Sequence, residues 1–337
     1  MKLNTNYLGL NLRSPIVPSA SPLSESIDSI RYMAECGAGA VVLYSLFEEQ
    51  IEHDSLELNH YLTVGTDSFS ESLNFFPDMG SFKTGPEQYL DHLHEASKAV
   101  DIPIIASLNG ASPGGWTAYA SKMEAAGAAA IELNLYAIPT DLSISAAKVE
   151  KQYLAVVELV RSSVKIPVSV KISPYLTATA HFCQELCRVG ASGIVLFNRF
   201  YQPDIEIDTL EVRPRLHLSN SDALRLPLRW IALLYGRIPA DLALTSGVHT
   251  YQDAIKGIMA GASVVMMASE LLVNGIVRVK DIKDSMNEWL DRNGYTSIEQ
   301  MQGSMSQIHV ADPSAFERAN YMKVLKSWRE DPAGVDW

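Results

Sequence analysis

The sequence predicts an α/β fold, a (β/α)8 barrel, and the first observation behind this prediction is a short pattern that occurs four times. In each copy a glycine closes an amphipathic segment and an apolar run follows: CGAGAVVLYS (36–45), AGAAAIELNL (126–135), VGASGIVLFN (189–198) and AGASVVMMAS (260–269). Glycine suits a helix end, where the left-handed backbone conformation is cheapest without a Cβ atom. A continuous apolar run suits a strand buried on both faces, as in a parallel sheet covered by helices.

The second observation is the number of strands. Four more candidates complete the set, at residues 15–20, 102–109, 166–173 and 241–247. The third observation is that helical patterns separate the strands, at residues 26–35, 86–100, 116–126, 146–163, 177–189, 222–236 and 250–260. Eight strands interleaved with helices is the count of a (β/α)8 barrel, whereas an open doubly wound sheet seldom needs eight parallel strands.

The chain is predicted to form a single domain over residues 1–337. Residues 1–14 look like a short hairpin that would plug the bottom of the barrel, and residues 306–337 form a C-terminal extension with a helical pattern at 316–330. Residues 46–85 and 199–220 are long connections after the second and sixth strands. Because long connections in compact domains usually carry function, we expect lids or binding loops there.

Charge and composition restrict the partners. The formal net charge of −12 argues against nucleic acid or an anionic membrane and leaves a small-molecule substrate. The three cysteines, Cys36, Cys183 and Cys187, lack metal-site spacing, so we expect no metal and buried thiols in a reducing compartment. The N-terminus lacks the apolar core of a signal peptide, and no run approaches about 18 apolar residues, so we expect a cytoplasmic protein.

Polar residues at the carboxyl ends of the strands are the candidates for function, because a barrel interior is otherwise packed with aliphatic side chains. Lys171, inside VSVKIS, is the most informative of them. A lysine on a buried strand needs an anionic partner or a depressed pKa. Three interpretations are open: an ion pair with a neighbouring carboxylate, a Schiff-base nucleophile, or a charge partner for a bound anionic cofactor.

The seventh and eighth βα units indicate a phosphate site. Small residues follow these strands in TSG (245–247) and AS (268–269), where barrels commonly bind phosphate through backbone N–H groups. Together with Lys171 and the amides of Asn109, Asn134 and Asn198, these turns describe a pocket for a flat, hydrogen-bonding ring with a phosphate tail. Flavin mononucleotide (FMN) fits this description.

These residues resemble the dihydroorotate dehydrogenase family of FMN-dependent barrels over roughly residues 3–305. The motifs that carry the resemblance are NLRSPIVPSAS (11–21), IELNL (131–135), VSVKIS (168–173), VLFN (195–198), LTSGVHTYQDA (244–254), VVMMAS (264–269) and GYTSIEQMQG (294–303). The resemblance implies that the FMN site comprises Ser19, Ala20, Ser45, Asn109, Asn134, Lys171, Ser246, Gly247, Ala268 and Ser269. It implies substrate contacts from Tyr44, Asn74, Asn134 and Asn198. The soluble branch, which the chain resembles more than the membrane-bound branch, implies a homodimer.

The sequence also departs from the family pattern. After E-L-N-L the soluble family has Ser-Cys-Pro-Asn, whose Cys is the base that removes a proton from dihydroorotate, whereas here Tyr136 follows. General-base assistance contributes about 10²–10⁴-fold to a rate, so Tyr136 joins Lys171 as a candidate catalytic residue. The lysine of the family's second strand is replaced by Tyr44, and Asn220 stands where the family has a flavin-loop glycine.

Three functional hypotheses follow. The first is an FMN-dependent oxidoreductase that oxidises a CH–CH bond of dihydroorotate or another pyrimidine-like compound and passes hydride to flavin N5. The second is a barrel that has lost catalysis and serves as a flavin-binding subunit of a redox complex. The third, a Schiff-base lyase through Lys171, is weaker because no strand end supplies an evident acid or base.

Overall fold

The predicted barrel is present in the computed structural model, which describes residues 2–50, 85–110, 116–199, 202–214, 216–318 and 321–322. Its strands are β1 (Ile16–Pro18), β2 (Val41–Phe47), β3 (Ile104–Gly110), β4 (Ala130–Leu135), β5 (Val168–Ile172), β6 (Gly193–Leu196), β7 (Asp241–Thr245) and β8 (Val264–Met267). They form one parallel sheet in the order β2-β3-β4-β5-β6-β7-β8-β1. At the seam between β1 and β2, the N–H of Gly39 donates to the carbonyl of Ile16 at 2.9 Å. The sheet is therefore a nearly closed barrel.

Helices lie between the strands, and each of the seven helical patterns in the sequence corresponds to one of them. They are α1 (Ile27–Glu35), α2 (Pro86–Ala99), α3 (Trp116–Ala125), α4 (Ala146–Ser163), α5 (Thr179–Arg188), α6 (Arg225–Leu234) and α7 (Tyr251–Ala260). The short α8 (Ser269–Asn274) and the longer α9 (Arg278–Arg292) follow β8 and were not predicted. Helix α9 buries Val279, Ile282, Met286 and Leu290, the spacing expected of one apolar helix face.

The apolar core is divided by the sheet into two parts. The larger part lies between the strands and the helices, and the smaller part fills the barrel with side chains such as Val42, Ile105, Val195 and Met266. Toward the carboxyl ends of the strands the interior becomes polar, because β3, β4 and β5 carry buried serine, asparagine, glutamate and lysine side chains there. This change of polarity marks the functional end of the barrel.

The N-terminal hairpin closes the opposite end, as predicted. Its strands, Thr5–Tyr7 and Leu10–Leu12, are antiparallel. At the hairpin turn, the N–H of Leu8 donates to Oδ2 of Asp241 at 2.7 Å, at the start of β7. Gly193 at the start of β6 leaves room for the Leu8 side chain, since a Cβ atom there would lie 2.6 Å from Cδ2 of Leu8.

The connection after β6 is more ordered than the sequence suggests. Two short antiparallel strands, Pro203–Glu206 and Glu211–Pro214, form a second hairpin within it. The other long connection, with Asn74, falls largely in residues 51–84 and lies outside the described residues. At the C-terminus a 3-10 turn spans Pro313–Phe316, and most of the helix predicted at 316–330 also lies outside the described residues.

Candidate active site

A cavity opens at the carboxyl ends of β1, β5, β6, β7 and β8. Its lining includes eight of the residues predicted from the sequence: Ser19, Ala20, Lys171, Asn198, Ser246, Gly247, Ala268 and Ser269. These eight predicted residues therefore lie around one cavity.

Polar side chains form a row across the neighbouring strands. The pairing of β3, β4 and β5 places Asn109 beside Asn134 and Asn134 beside Lys171, and all three are more than nine-tenths buried. Asn198, after β6, donates from Nδ2 to Oδ1 of Asn134 at 3.0 Å. Asn134 is thus tied to the cavity wall through Asn198, which is itself part of that wall.

The buried lysine has the anionic partner that its position requires. Nζ of Lys171 lies 3.3 Å from Oε1 of Glu132 on β4. The exposed fraction of the Glu132 side chain is 1% and that of Lys171 is 10%. Since paired charges are the usual way to bury a lysine, the ion pair with Glu132 accounts for the burial of Lys171. The cavity nevertheless reaches Lys171, so the same cation is available to a bound anion.

On β2, the side chains of Tyr44 and Ser45 have separate environments. The pairing of β2 with β3 shifts between Val42 and Ser45, an irregularity of the bulge type. Ser45 pairs with Ser107, and their hydroxyl groups lie 2.9 Å apart. Tyr44 contacts helix α2, with its ring 5.1 Å from that of Tyr89 and 5.6 Å from that of His92. Neither residue lines the cavity.

The turn after β7 has an unusual backbone conformation. Ser246 and Gly247 have φ angles of +77° and +81°, which place two consecutive residues in the left-handed region. At Gly247 a Cβ atom would lie 2.2 Å from the backbone nitrogen of Leu224. Only glycine therefore fits at position 247 of this turn.

A hydrogen-bonded cluster around His249 and Glu270 lies next to the two predicted phosphate turns. Nδ1 of His249 lies 2.9 Å from Oε2 of Glu270, and its Nε2 lies 3.1 Å from Oγ of Ser219. Nε of Arg278 donates to Oε1 of Glu270 at 2.5 Å. Burial alone would raise the pKa of Glu270, but hydrogen bonds from Arg278, His249 and Asn274 hold the pKa below its usual range. Glu270 is therefore a carboxylate at neutral pH.

Asp253 fixes the start of α7 immediately after this turn. Its Oδ2 accepts hydrogen bonds from the N–H groups of His249 and Thr250 and from the hydroxyls of Thr250 and Ser221. Thr250 and Asp253 form a capping box, the arrangement that satisfies the free N–H groups of a first helical turn. The cap holds the backbone on which His249 and Gly247 lie.

The chain was then compared with known proteins. Residues 2–290 match the family model described as dihydroorotate dehydrogenase. The chain belongs to the dihydroorotate dehydrogenase family. Members of this family are flavin-dependent oxidoreductases.

Relatives are similar along nearly their whole length. A putative dihydroorotate dehydrogenase A (fumarate) from Aeropyrum pernix is 28% identical over 310 residues, covering 90% of this chain and 97% of that protein. Catalytic subunits of dihydroorotate dehydrogenase B (NAD(+)) are 25% identical in Methanothermobacter thermautotrophicus and 26% identical in Methanocaldococcus jannaschii. Each of these two comparisons covers 89% of this chain and 97% of the relative.

The base position of the family pattern carries Tyr136, directly after β4. Tyr136 is half-buried and is not among the residues that line the cavity. None of the three cysteines lines the cavity either. Burial raises the pKa of Cys183 to about 12 and that of Cys187 to about 11. These α5 thiols are therefore protonated at neutral pH and do not replace the family's cysteine.

The structure adds residues that the sequence analysis missed. Glu132 stands two positions before Asn134 in IELNL, the spacing that places two side chains on one face of a strand, so its charge opposite Lys171 was a usable signal. His249 and Glu270 each lie within two residues of a predicted phosphate turn. Ser219 and Arg278 are far from these turns in sequence, and no local pattern indicates them.

No helix among the described residues is long and apolar enough to cross a membrane. No group of three or more histidine, cysteine, aspartate or glutamate side chains in the same ranges could hold a metal ion.

Proposed function

We propose that the protein is an FMN-dependent oxidoreductase of the dihydroorotate dehydrogenase type, which oxidises a CH–CH bond of a pyrimidine-like substrate. The observation that carries the proposal is the convergence of Lys171, Asn198 and both small-residue turns on one cavity. Lys171 and Asn198 follow β5 and β6, and the two turns follow β7 and β8, the next strands around the barrel. This is the distribution that a ring with a phosphate tail requires.

The residues present fit FMN. Gly247 and Ser246 on one turn, and Ala268 and Ser269 on the other, offer backbone N–H groups and hydroxyls to a phosphate. Ser19 and Ala20 line the same cavity at the end of β1, where they would contact the ring. Ser45 and Asn109, which do not line it, would complete the ring side only through a shift or a bridging water.

When bound, the flavin supplies the hydride acceptor, and the protein supplies position and charge. Lys171 provides a positive charge that stabilises negative charge on the ring system beside it. Asn198, held by Asn134, presents an amide that can both donate and accept hydrogen bonds with the edge of a pyrimidine-like substrate. Tyr44 and Asn74 remain proposed substrate contacts from the family pattern.

The substrate of this chain is proposed to differ in charge from dihydroorotate. A carboxylate substrate would need a cation where the family has its second-strand lysine, and Tyr44 supplies none. Tyr136 is the proposed proton acceptor, although an ordinary phenol has a pKa near 10 and is a poor base at neutral pH. A neutral ring compound fits these side chains better than a carboxylate does. It needs no cation at Tyr44, and it places a different requirement on the proton acceptor.

A second function, a flavin-binding subunit without catalysis, is favoured by one observation. The described cysteines are buried or half-buried away from the cavity, so no thiol stands ready to act as the base. The Schiff-base alternative is disfavoured, because the carboxylate of Glu132 beside Lys171 stabilises an ammonium ion rather than the neutral amine that such a nucleophile needs.

We also propose that the protein is a homodimer and that it is cytoplasmic. The hairpin after β6 exposes the apolar side chains of Ile205, Ile207, Leu210 and Val212, and exposed apolar patches commonly mark protein interfaces. Sedimentation of the wild type beside a variant with Ile205 and Val212 changed to serine tests this part. A monomeric wild type would refute it.

The visible absorption spectrum tests the proposed function. We expect the purified protein, as isolated or after addition of FMN, to show the band of an oxidised protein-bound flavin. Dihydroorotate and dihydrouracil, which is the same ring without the carboxylate, are then added without oxygen. Bleaching by either compound supports the oxidoreductase, and dihydrouracil is expected to act faster. A stable flavin band that neither compound bleaches supports the second function, and a protein that binds no flavin excludes both.

A further inference from the structure

The side chains of Ser219, His249 and Glu270 form a chain of hydrogen bonds that ends at the cavity. Ser219 and Ser269 both line the cavity wall, and the N–H of Ser219 donates to Oγ of Ser269 at 3.1 Å. Oγ of Ser219 lies 3.1 Å from Nε2 of His249, whose Nδ1 lies 2.9 Å from Oε2 of Glu270. Ser219 is therefore the member of this hydrogen-bonded chain that lines the cavity.

Glu270 determines which nitrogen of the neutral imidazole carries the hydrogen. An ionised carboxylate only accepts hydrogen bonds, so Nδ1 of His249 must be the donor toward Glu270. In the neutral ring, Nε2 is then an acceptor, and the hydroxyl of Ser219 donates to it. Only the lone pairs of Ser219 are left to face the cavity, and these repel an anion.

Protonation of His249 reverses the direction of the last hydrogen bond. Nε2 of the imidazolium becomes a donor to Oγ of Ser219, and the hydroxyl hydrogen of Ser219 is released toward the cavity. An anionic oxygen there then gains a hydrogen bond and a nearby positive charge.

We infer that Ser219 is a ligand for the anionic end group of the bound cofactor and that His249 is a positioning residue that makes this contact depend on a proton. The expected ligand class is a phosphate or sulfate ester whose anion lies between the turns at Gly247 and Ser269. The inference rests on the proposed function, because it assumes that a flavin occupies the cavity.

Charged groups from several elements face His249. Glu270 on α8 contacts Nδ1, and Asp253 on α7 accepts from the backbone N–H. Nη2 of Arg278 on α9 donates to the backbone carbonyl of His249 at 3.4 Å. In the described part of the chain one carboxylate thus contacts the imidazole and a second carboxylate and a guanidinium contact the backbone of His249, and Lys171 and Arg199 add cations to the cavity wall.

The experiment compares two ligands that share one ring. Riboflavin carries no anion, and riboflavin 5′-sulfate carries a monoanion whose charge is constant over the pH range used. Their dissociation constants for the apoprotein are measured by flavin fluorescence between about pH 5.5 and about pH 8.5. The ratio of the two constants cancels any effect of pH on ring binding and reports the anion contact alone.

Three variants separate the inferred role from a structural one. Ser219→Ala removes the hydroxyl, and His249→Gln keeps a polar side chain that does not titrate. His309→Gln is the matched control, since His309 bonds Ser306 and the carbonyl of Gly303 and does not line the cavity. Unchanged affinity for riboflavin shows that a variant is folded and that its ring site is intact.

For the wild type and His309→Gln, the preference for the sulfate ester is expected to rise about fivefold as the pH falls across this range, the value of one added hydrogen bond. Ser219→Ala and His249→Gln are expected to show no such rise. A wild-type preference that does not change with pH, or a rise that both variants retain, overturns the inference while the flavin function stands. If neither flavin binds at any pH, the proposed function fails and the inference fails with it.

Discussion

Lys171 on β5 and Glu132 on β4 form an ion pair inside the barrel, with Nζ 3.3 Å from Oε1. The second oxygen of Glu132, Oε2, is buried and has no hydrogen-bond partner among the described residues. Burial, and after it the charge of Glu132, raises the pKa of the Tyr7 phenol at the plugged end of the barrel. The carboxylate of Glu132 thus interacts with the Lys171 cation on the cavity side and with the neutral phenol of Tyr7 on the side of the N-terminal hairpin.

The ion pair gives the first prediction. Glu132→Gln removes the carboxylate and leaves Lys171 buried without its counter-charge, which is expected to lower the free energy of unfolding by about 3 kcal/mol at neutral pH. Lys171→Met leaves Glu132 unpaired, with a similar expected loss. The double variant should lose much less than the sum, because neither charge is left alone. Urea denaturation of all four proteins measures this, and additive losses would contradict a coupled pair.

The capping residue Asp253 gives the second prediction. Asp253→Ala removes the acceptor for two backbone N–H groups and two hydroxyls at the turn before α7. Loss of the cap leaves buried N–H and hydroxyl donors without an acceptor. This should lower the free energy of unfolding by about 2 kcal/mol. Because the same cap holds the turn at Gly247, FMN affinity should fall as well. Gln252→Ala on the exposed side of α7 is the control, and equal effects of the two substitutions would refute the assignment.

Glu270 gives the third prediction, on the pH dependence of stability. Its pKa is lower in the folded protein than the ordinary value of 4.5, so the folded state is the weaker proton binder. The stabilisation is fully present above the unfolded-state pKa and is lost as the pH falls through the lower, folded-state pKa. Glu270→Gln should therefore flatten the acid side of a plot of unfolding free energy against pH. A variant whose acid side is as steep as that of the wild type would contradict this.

The cysteines give the fourth prediction. Burial raises the pKa of Cys183 to about 12 and that of Cys187 to about 11, so little reactive thiolate is present near neutral pH. Iodoacetamide at neutral pH should label the native protein slowly and should not alter the rate at which substrate bleaches a bound flavin. Rapid inactivation prevented by substrate would show that a cysteine does act at the site.

The barrel and most of the cavity wall were predictable because their signals are local. A glycine followed by an apolar run marks each repeated unit, and the carboxyl ends of parallel strands meet at one rim. That geometry is why Ser19, Lys171, Asn198 and Gly247 could be placed together from the sequence. The helical patterns between the strands were equally local, and α1 to α7 follow them.

What escaped prediction depends on relationships between distant segments. The irregular pairing of β2 with β3 has one extra residue between Val42 and Ser45, which exchanges the faces on which Tyr44 and Ser45 lie, and strand alternation alone does not reveal such a shift. The contact of Ser219 with His249 joins residues 30 apart. The pairing of Lys171 with Glu132 joins residues 39 apart. Such contacts form only when the folded barrel brings distant segments together, so no local sequence motif indicates them.

The central claim is that the turn at Gly247 helps to form an FMN site, and counting bound FMN tests it most directly. Gly247→Ala puts a Cβ atom 2.2 Å from the backbone of Leu224, whereas Gly294→Ala imposes a similar left-handed strain where nothing lies within 4 Å. After equilibration with FMN and removal of free ligand, the wild type and Gly294→Ala should each retain about one FMN per chain, and folded Gly247→Ala should retain little. A wild type that retains no FMN, or a Gly247→Ala variant that retains as much as the wild type, would contradict the claim.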